Sequence, residues 1–260
     1  MIKTGLHEDV HYLRTESRLL GIPLAFYVYA VDGLLVDTGP ASQREVIIPF
    51  LKRSAIREVA LTHAHEDHCG LAAWIQENLR VPVYLHEALH AEAAADARLP
   101  PYRRLAWGSR RAFHPQPLPP VFQTPSHRFE ILPAPGHTPD HVVLWERDKG
   151  WLFTGDFFLG VSQVVAFQDE ESGRSIDSLK RLIGLGADTL FTAHSGVLSE
   201  GRRHLTRRLE FLEELRGKVQ TLRADGLSDR AIARRLLPRR KLITLISLGE
   251  WSTRHLVRGL

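Results

Sequence analysis

The feature that most constrains this chain is a nine-residue segment, Thr62-His63-Ala64-His65-Glu66-Asp67-His68-Cys69-Gly70, which follows a short β-rich run. Alternate residues of an extended segment point to the same side, so His63 and His65 can bind one ion. Asp67 and His68 then turn towards a second position as the chain enters a predicted helix. Burying such polar side chains is costly unless a cation compensates them. The segment therefore predicts a metal site at a strand end.

Three later segments each place one further metal-ligand type after a predicted strand. His137 lies in Pro-Gly-His-Thr-Pro, Asp156 in Thr-Gly-Asp and His194 in Ala-His-Ser-Gly. Taken singly, each residue is more simply interpreted as a turn residue or a hydrogen-bonded core group. Loops at strand ends gather on one edge of a sheet, however, and residues distant in sequence can meet there. We predict a site formed by seven side chains: His63, His65, Asp67, His68, His137, Asp156 and His194.

These four blocks, in this order, resemble the metallo-β-lactamase superfamily and within it the glyoxalase II type of metallo-hydrolase. The resemblance spans about residues 20–200 and identifies a fold better than a substrate. It implies an α/β protein, an αββα sandwich with a C-terminal helical extension, and metals at one edge between the sheets. It also implies two ligand sets: His63, His65 and His137 for the first ion, and Asp67, His68 and His194 for the second, with Asp156 bridging both.

Some residues depart from the family pattern or lie outside it. Asp140 stands where many relatives have glycine, and Ser195 follows the last histidine. A bridging aspartate disfavours antibiotic hydrolysis, because the β-lactamases of the family usually lack it or have cysteine there. Cys69 occupies no ligand position and is interpreted as a small buried residue. The remaining histidines singled out are assigned ordinary surface or core hydrogen bonding: His86, His90, His114, His127 and His141.

The length of 260 residues fits one domain with a terminal extension, predicted as a catalytic domain over 1–200 and a basic helical extension over 201–260. Asp32-Gly33 predicts a hairpin turn between strands at 25–30 and 34–36. The run at 19–31 is interpreted as a strand, because it is too short for a membrane span and follows no basic leader. Further strands are predicted at 58–61, 129–132, 142–145, 151–153 and 189–192, and helices at 42–52, 71–79 and 175–183.

The extension carries a stripe of apolar residues at helical spacing: Leu205, Leu209, Leu212, Leu215, Val219 and Leu222. It predicts a helix packed on the domain, followed by a helix capped by Ser228 and a last one near 251–257. By contrast, regular structure between residues 99 and 125 is made unfavourable by a series of prolines, among them Pro101, Pro115, Pro117, Pro119, Pro120 and Pro125. We interpret that segment as a long surface loop, a candidate lid or substrate-selecting wall.

Charge and composition indicate the class of protein, its compartment and the partners that it can have. A hydrophobic fraction of 43% with 25% charged residues is typical of soluble globular proteins. The single cysteine excludes an intramolecular disulfide and favours the cytoplasm. The extension holds 15 Lys/Arg against six Asp/Glu, while residues 1–200 hold 19 against 24. Solvated helix faces explain this asymmetry more simply than a nucleic-acid surface. The exposed helices permit a homo-oligomer without requiring one.

The site predicts a hydrolase that uses two divalent metal ions, with zinc first and iron or manganese as alternatives. Two such ions generate a bridging hydroxide at neutral pH. Our hypothesis is attack on the carbonyl of a small ester, thioester or lactone, with Asp67 as the catalytic residue that orients the nucleophile. The alternatives are a phosphodiesterase or ribonuclease using the same site, a mononuclear iron persulfide dioxygenase, and a binding module without turnover. The last is disfavoured because all seven ligand positions are filled.

Overall fold

Two β-sheets pack face to face in the computed structural model, which describes residues 2–238 and 242–260. The first sheet contains, in spatial order, β1 (Lys3–His7), β2 (Val10–Leu19), β3 (Ile22–Val31), β4 (Leu34–Val36), β5 (Glu58–Ala60), β6 (Val83–Leu85) and β7 (Gln116–Pro117). The second contains β8 (Val121–Gln123), β9 (Arg128–Pro133), β10 (Val142–Glu146), β11 (Trp151–Gly155), β12 (Thr189–Thr192) and β13 (Gly196–Ser199), again in spatial order. The strands β4 to β7 run parallel, as do β11 and β12.

Helices cover the outer faces of both sheets. The described helices are α1 (Arg44–Arg53), α2 (Glu66–Cys69), α3 (Ala72–Asn78), α4 (His90–Ala93), α5 (Pro101–Trp107), α6 (Ser172–Ile183), α7 (Gly201–Ala224), α8 (Asp229–Leu236), α9 (Leu242–Ile246) and α10 (Thr253–Arg258). The apolar faces of α1 and α3 share a core with the first sheet, and those of α6 and α7 share one with the second. A third core lies between the sheets, where Phe153 stacks on Phe191 at 4.5 Å between ring centroids. This layering confirms the predicted α/β class and αββα order.

The N-terminal strands are more extensive than the sequence pattern predicts. Asp32 and Gly33 form the predicted turn, with φ angles of 48° and 90°, and Val31 pairs with Leu34. The interpretation of 19–31 as one strand is wrong. The chain reverses at Gly21, whose φ of 84° suits glycine, so that Leu19 ends β2 and β3 begins after the turn.

The proline-rich segment is also more regular than expected. The prediction of a structureless loop over 99–125 is wrong, because the segment contains α5, β7 and β8. Pro101 is the first residue of α5, the helical position where a missing N–H costs nothing. Pro117 lies in β7 at the edge of the first sheet, where an unpaired position tolerates proline. The helix α5 packs against β2, and Trp107 at its C-terminal end lies 5.9 Å from His194 between ring centroids.

The C-terminal helices follow the predicted pattern. The helix α7 begins at Gly201, and its stripe enters the core on the second sheet: Leu205, Leu212, Leu215, Val219 and Leu222 are buried, with Leu209 packed partly against them. The Ser228 side chain accepts a hydrogen bond from the N–H of Ala231 and caps α8, as predicted. Within the described ranges, no helix is both long enough and apolar enough to cross a bilayer.

Candidate metal centre

Four side chains from three loops converge at the first predicted ion position. His63, His65, His137 and Asp156 each offer a ligand atom, and these atoms lie within 4.8 Å of one another. His137 Nε2 is 3.0 Å from His65 Nδ1 and 3.5 Å from Asp156 Oδ2. Imidazole nitrogens and one carboxylate oxygen at such distances match the ligand set of a zinc-type ion.

A second group shares Asp156 with the first. Asp67, His68 and His194 offer ligand atoms that meet the Asp156 carboxylate, again within 4.8 Å of one another. Asp156 Oδ1 is 3.2 Å from His68 Nε2 and 3.1 Å from His194 Nε2. Because Oδ2 of the same carboxylate faces His137, Asp156 can contact two ions at once. The structure thus brings together all seven residues that the sequence predicts.

Buried polar atoms without hydrogen-bond partners test whether these residues fit a metal. His63 Nε2, His68 Nε2 and Asp156 Oδ1 are buried and make no hydrogen bond of acceptable geometry. Unsatisfied buried polar atoms cost about 1–3 kcal/mol each, so three of them converging on one place call for a partner. Cations coordinated by these lone pairs would supply it, and the donor set suits divalent metals.

Hydrogen bonds outside each group fix the orientation of two imidazoles. His68 Nδ1 lies 2.7 Å from Asp37 Oδ2, and since a carboxylate only accepts, Nδ1 carries the proton. Thr62 Oγ1 lies 3.0 Å from both Asp37 Oδ2 and His63 Nδ1. The hydroxyl can therefore donate to Asp37 and accept from His63. In both rings Nε2 is therefore the nitrogen that faces the site, which is the arrangement that metal-binding histidines require.

The rings of His137 and His194 are held by residues from distant parts of the chain. His137 Nδ1 lies 3.1 Å from Glu170 Oε1, and His194 Nδ1 donates to the carbonyl of Ala25 at 2.7 Å. Glu170 also accepts from the N–H of Phe167, which holds its carboxylate in place. Sequence reasoning missed Asp37 and Glu170. Asp37 carries one usable signal, because it follows a strand as the ligands do, whereas Glu170 carries none.

Electrostatics separate the histidines into two classes. Burial lowers the pKa of His63 and His65 well below the ordinary value, and neighbouring histidines lower it further, so both are neutral. Burial also opposes charge on His194, but Asp156 and Asp67 raise its pKa to about 10. The proton on His194 balances the negative charge of Asp156 and Asp67, which a bound divalent cation would balance instead. Metal binding would therefore release protons.

Cys69 and His141 lie beside the site but belong to neither ligand group. Cys69 is buried as predicted, its Sγ donates to the carbonyls of Ala64 and His65, and burial raises the pKa of its thiol. His141 was assigned ordinary hydrogen bonding, and this is wrong. Its ring is fully buried at 4.9 Å from the His63 centroid, and neither nitrogen has a hydrogen-bond partner among the described residues. Burial lowers its pKa well below the ordinary value, so it packs as a neutral ring.

Loops from both sheets meet at this place. His63 to His68 follow β5 of the first sheet, while Asp156 and His194 follow β11 and β12 of the second. The N–H of Val142 donates to the carbonyl of Thr62 at 3.0 Å, and that of Tyr27 donates to Ala193 at 2.8 Å. These bonds join the sheets on either side of the site, which lies at their common edge, as the resemblance implies.

A sequence profile of the metallo-β-lactamase superfamily matches residues 25–194. The chain belongs to this superfamily. A probable metallo-hydrolase from Bacillus subtilis is 26% identical over 210 residues, covering 65% of this chain and 77% of that protein. A hydroxyacylglutathione hydrolase from Legionella pneumophila is 31% identical over 163 residues, covering 60% and 56%. The chain thus spans little more than half of the latter, and the glyoxalase II-like resemblance is confirmed.

Solved structures of metallo-β-lactamase proteins share the fold. A family protein from Thermus thermophilus superposes with a TM-score of 0.71 at 22% identity, covering 98% of this chain and 94% of that one. A family protein from Burkholderia ambifaria gives 0.69 at 18% identity, covering 97% and 86%. At these identities the likeness establishes architecture alone. The C-terminal helices lie beyond the profile match but within the superposed length.

Proposed function

We propose that the chain is a binuclear metal-dependent hydrolase, with zinc as the first candidate metal, that cleaves a small ester, thioester or lactone. The observation that carries the proposal is the carboxylate of Asp156, which belongs to both ligand groups and joins them into one site. The hydrolase names of related proteins support the same reaction class. When bound, two divalent ions would lower the pKa of a water molecule and polarise a carbonyl group.

The chain's own residues would hold the metal ions and orient the attacking water. His63, His65 and His137 would hold one ion, and His68 and His194 would hold the other beside Asp67. Asp67 Oδ2 lies 3.3 Å from His194 Nε2. Burial raises the pKa of Asp67, but His68 and His194 outweigh burial and lower it below the ordinary value. An ionised carboxylate at this place can accept a hydrogen bond from the attacking water and orient it.

The experiment compares the purified protein with Asp67→Ala and His137→Ala after each is loaded with zinc, manganese or iron. A panel of esters, thioesters, lactones and phosphodiesters is then assayed under one set of conditions. We expect acyl hydrolysis by the wild type and a loss of about 100-fold or more in both variants. Undiminished acyl hydrolysis in either variant at full metal content would contradict the assignment.

The same panel separates the alternatives. A nuclease that contacts RNA through several Lys/Arg would bind with a steep inverse dependence on salt, whereas hydrolysis of a neutral acyl substrate should be nearly insensitive to salt. Persulfide oxidation would need a redox-active metal, which zinc is not. Activity with zinc that is unchanged by salt therefore supports the acyl hydrolase over both.

A further inference from the structure

A cavity of about 560 Å³ opens directly onto the candidate metal centre. Its floor contains ligands of both groups: His65, Asp67, Asp156 and His194. Its walls come from four separate parts of the chain: the β2–β3 hairpin, α5, the segment after β11 and the C-terminal segment containing α9. A volume of this size accommodates a small organic molecule. A substrate that places its carbonyl at the metals would therefore extend into this space.

The walls of this cavity are mostly apolar and aromatic, although Tyr102, Arg103, Ser162 and Gln163 also line them. Leu24 comes from β3, Trp107 from the end of α5, Leu159 and Val165 from the segment after β11, and Ile243 and Trp251 from the C-terminal segment. Trp251 packs against Phe167, another wall residue, at 4.8 Å between centroids. Side chains of this kind stabilise a ligand by removing its apolar surface from water. They offer little to a charged group.

The one Lys or Arg among the described wall residues is already paired. Arg103 donates to both oxygens of Glu66, at 2.7 and 2.6 Å, and to Glu250 at 3.3 Å. Glu66 is buried, so removing its partner would leave an uncompensated carboxylate. The guanidinium also lies 5.1 Å from the Phe167 ring centroid. Arg103 therefore stabilises the cavity wall through these contacts and does not bind a substrate carboxylate.

A second cavity, of about 680 Å³, lies on the other side of His65 and Arg103 and differs in chemistry. Charged residues line it, among them Glu92, Asp96, Arg98 and Asp140. A carbonyl held at the metals has two substituents that point in different directions. The first cavity suits an apolar substituent, and the second leaves space for a polar one.

We infer that the substrate is an ester or thioester whose acyl group is an extended apolar chain lying in the first cavity, an inference that rests on the hydrolysis proposed above. In the reaction, the oxygen of water bonds to the carbonyl carbon, and the bond from that carbon to the alcohol or thiol breaks. The leaving oxygen or sulfur takes one proton of that water, the acyl group departs as a carboxylate and releases the other proton to solvent, and no electron transfer is needed. Two of the wall residues, Ile243 and Trp251, lie outside the part of the chain that matches the family profile.

The first test measures kcat/KM of the zinc-loaded protein on esters that share one leaving group and differ in acyl length, from about two to about ten carbons. Each buried methylene can raise kcat/KM by up to about fourfold. We expect a rise of at least about tenfold between two and about eight carbons. Turnover with a flat or falling profile would overturn the inference but not the proposed hydrolysis. Failure to hydrolyse any acyl substrate would overturn the hydrolysis itself.

A matched pair of variants locates the effect. Leu159→Trp reduces the first cavity, and Leu99→Trp makes the same exchange at a residue that lines only the second. We expect Leu159→Trp to reduce kcat/KM for the longest ester by about tenfold or more while that for acetate esters changes less than about threefold. Leu99→Trp should leave the profile unchanged. Equal profiles for both variants would contradict the assignment of the acyl group to the first cavity.

A binding measurement supplies a readout independent of turnover. The carboxylate products, acetate and octanoate, are titrated into the zinc-loaded wild type and both variants, and the heat of binding and tryptophan fluorescence are recorded. Trp107 and Trp251 line the cavity and should report its occupation. We expect octanoate to bind at least about tenfold more tightly than acetate to the wild type and Leu99→Trp. Equal affinities for the two acids would overturn the inference.

Discussion

At the residue scale, the candidate metal centre depends on which nitrogen of each imidazole is available. Asp37, Thr62 and Glu170 each lie within hydrogen-bonding distance of an Nδ1 atom, and the carbonyl of Ala25 accepts from a fourth. This fixes the ring and its tautomer, so that Nε2 faces the position of an ion. The residues that carry out this orientation are as much a part of the site as the ligands.

Removing the Glu170 carboxylate should lower the metal affinity of the first ion position, which includes His137. Glu170→Ala leaves His137 Nδ1 without its acceptor, and loss of such a partner typically lowers metal affinity by about 10–100-fold. Glu170→Gln keeps an acceptor oxygen and should lose less. Competition with a chromogenic chelator measures the affinity. Glu171→Ala is the control, because Glu171 is an exposed neighbour whose carboxylate forms an ion pair with Arg174. Equal affinity in Glu170→Ala and wild type would exclude this positioning role.

Asp140 should make folding stability depend on pH. It is half-buried, its Oδ2 has no hydrogen-bond partner in the part of the chain that the structure describes, and burial raises the pKa of its carboxyl above the ordinary value. A group whose pKa is raised on folding contributes stability below its unfolded pKa, and that contribution is lost as the pH rises through the folded value. Asp140→Asn should therefore be more stable than wild type at about pH 7, with the difference shrinking towards about pH 4. Urea unfolding at both pH values measures this, and a pH-independent difference would contradict it.

The residues predicted from sequence are those that local motifs contain. His63 to His68 form one segment, and His137, Asp156 and His194 each lie in a short motif after a predicted strand. The hydrogen bonds that orient them join residues far apart, as from His68 to Asp37 or from His194 to Ala25. No spacing in one sequence indicates such pairs, because they arise only when the sheets pack.

At the element scale, α7 shows how an apolar stripe stabilises the fold. Leu212 is 1% exposed and lies in the core between α7 and the second sheet. Leu212→Ala should lower the free energy of unfolding by about 2–5 kcal/mol, because the substitution removes buried surface and leaves a cavity. Gln220→Ala, on the exposed face of the same helix, should change it by less than about 0.5 kcal/mol. Chemical denaturation compares the two, and similar values would contradict the packing described here.

Elements with a clear apolar period were predicted well, and the errors have physical reasons. The helix α3 and the strands β9 to β12 lie close to their predicted positions. The helix α5 departs from the prediction because Pro101 occupies the first helical position, where proline is compatible with a helix, and not an interior position, where it would break one. The reversal at Gly21 was missed because the apolar residues on either side of it form one continuous run.

At the scale of the whole molecule, the site exists only because two sheets pack together. Ligands on loops of the first sheet meet ligands on loops of the second across the edge joined by the Val142–Thr62 and Tyr27–Ala193 hydrogen bonds. Ions that bind these loops would bind the folded chain and not the unfolded one, so they would also raise the stability of the whole. The proposed substrate selection depends in turn on the C-terminal segment, from which Ile243 and Trp251 line the cavity at the same edge.

The most direct measurement titrates the metal-free protein with zinc while recording both bound metal and acyl hydrolysis. Seven ligands in two groups that share Asp156 lead us to expect about two ions bound per chain, with hydrolysis rising until the second position is filled. Asp156→Ala should lower both. Full hydrolysis without metal, or a protein that binds neither zinc, manganese nor iron, would contradict the binuclear site.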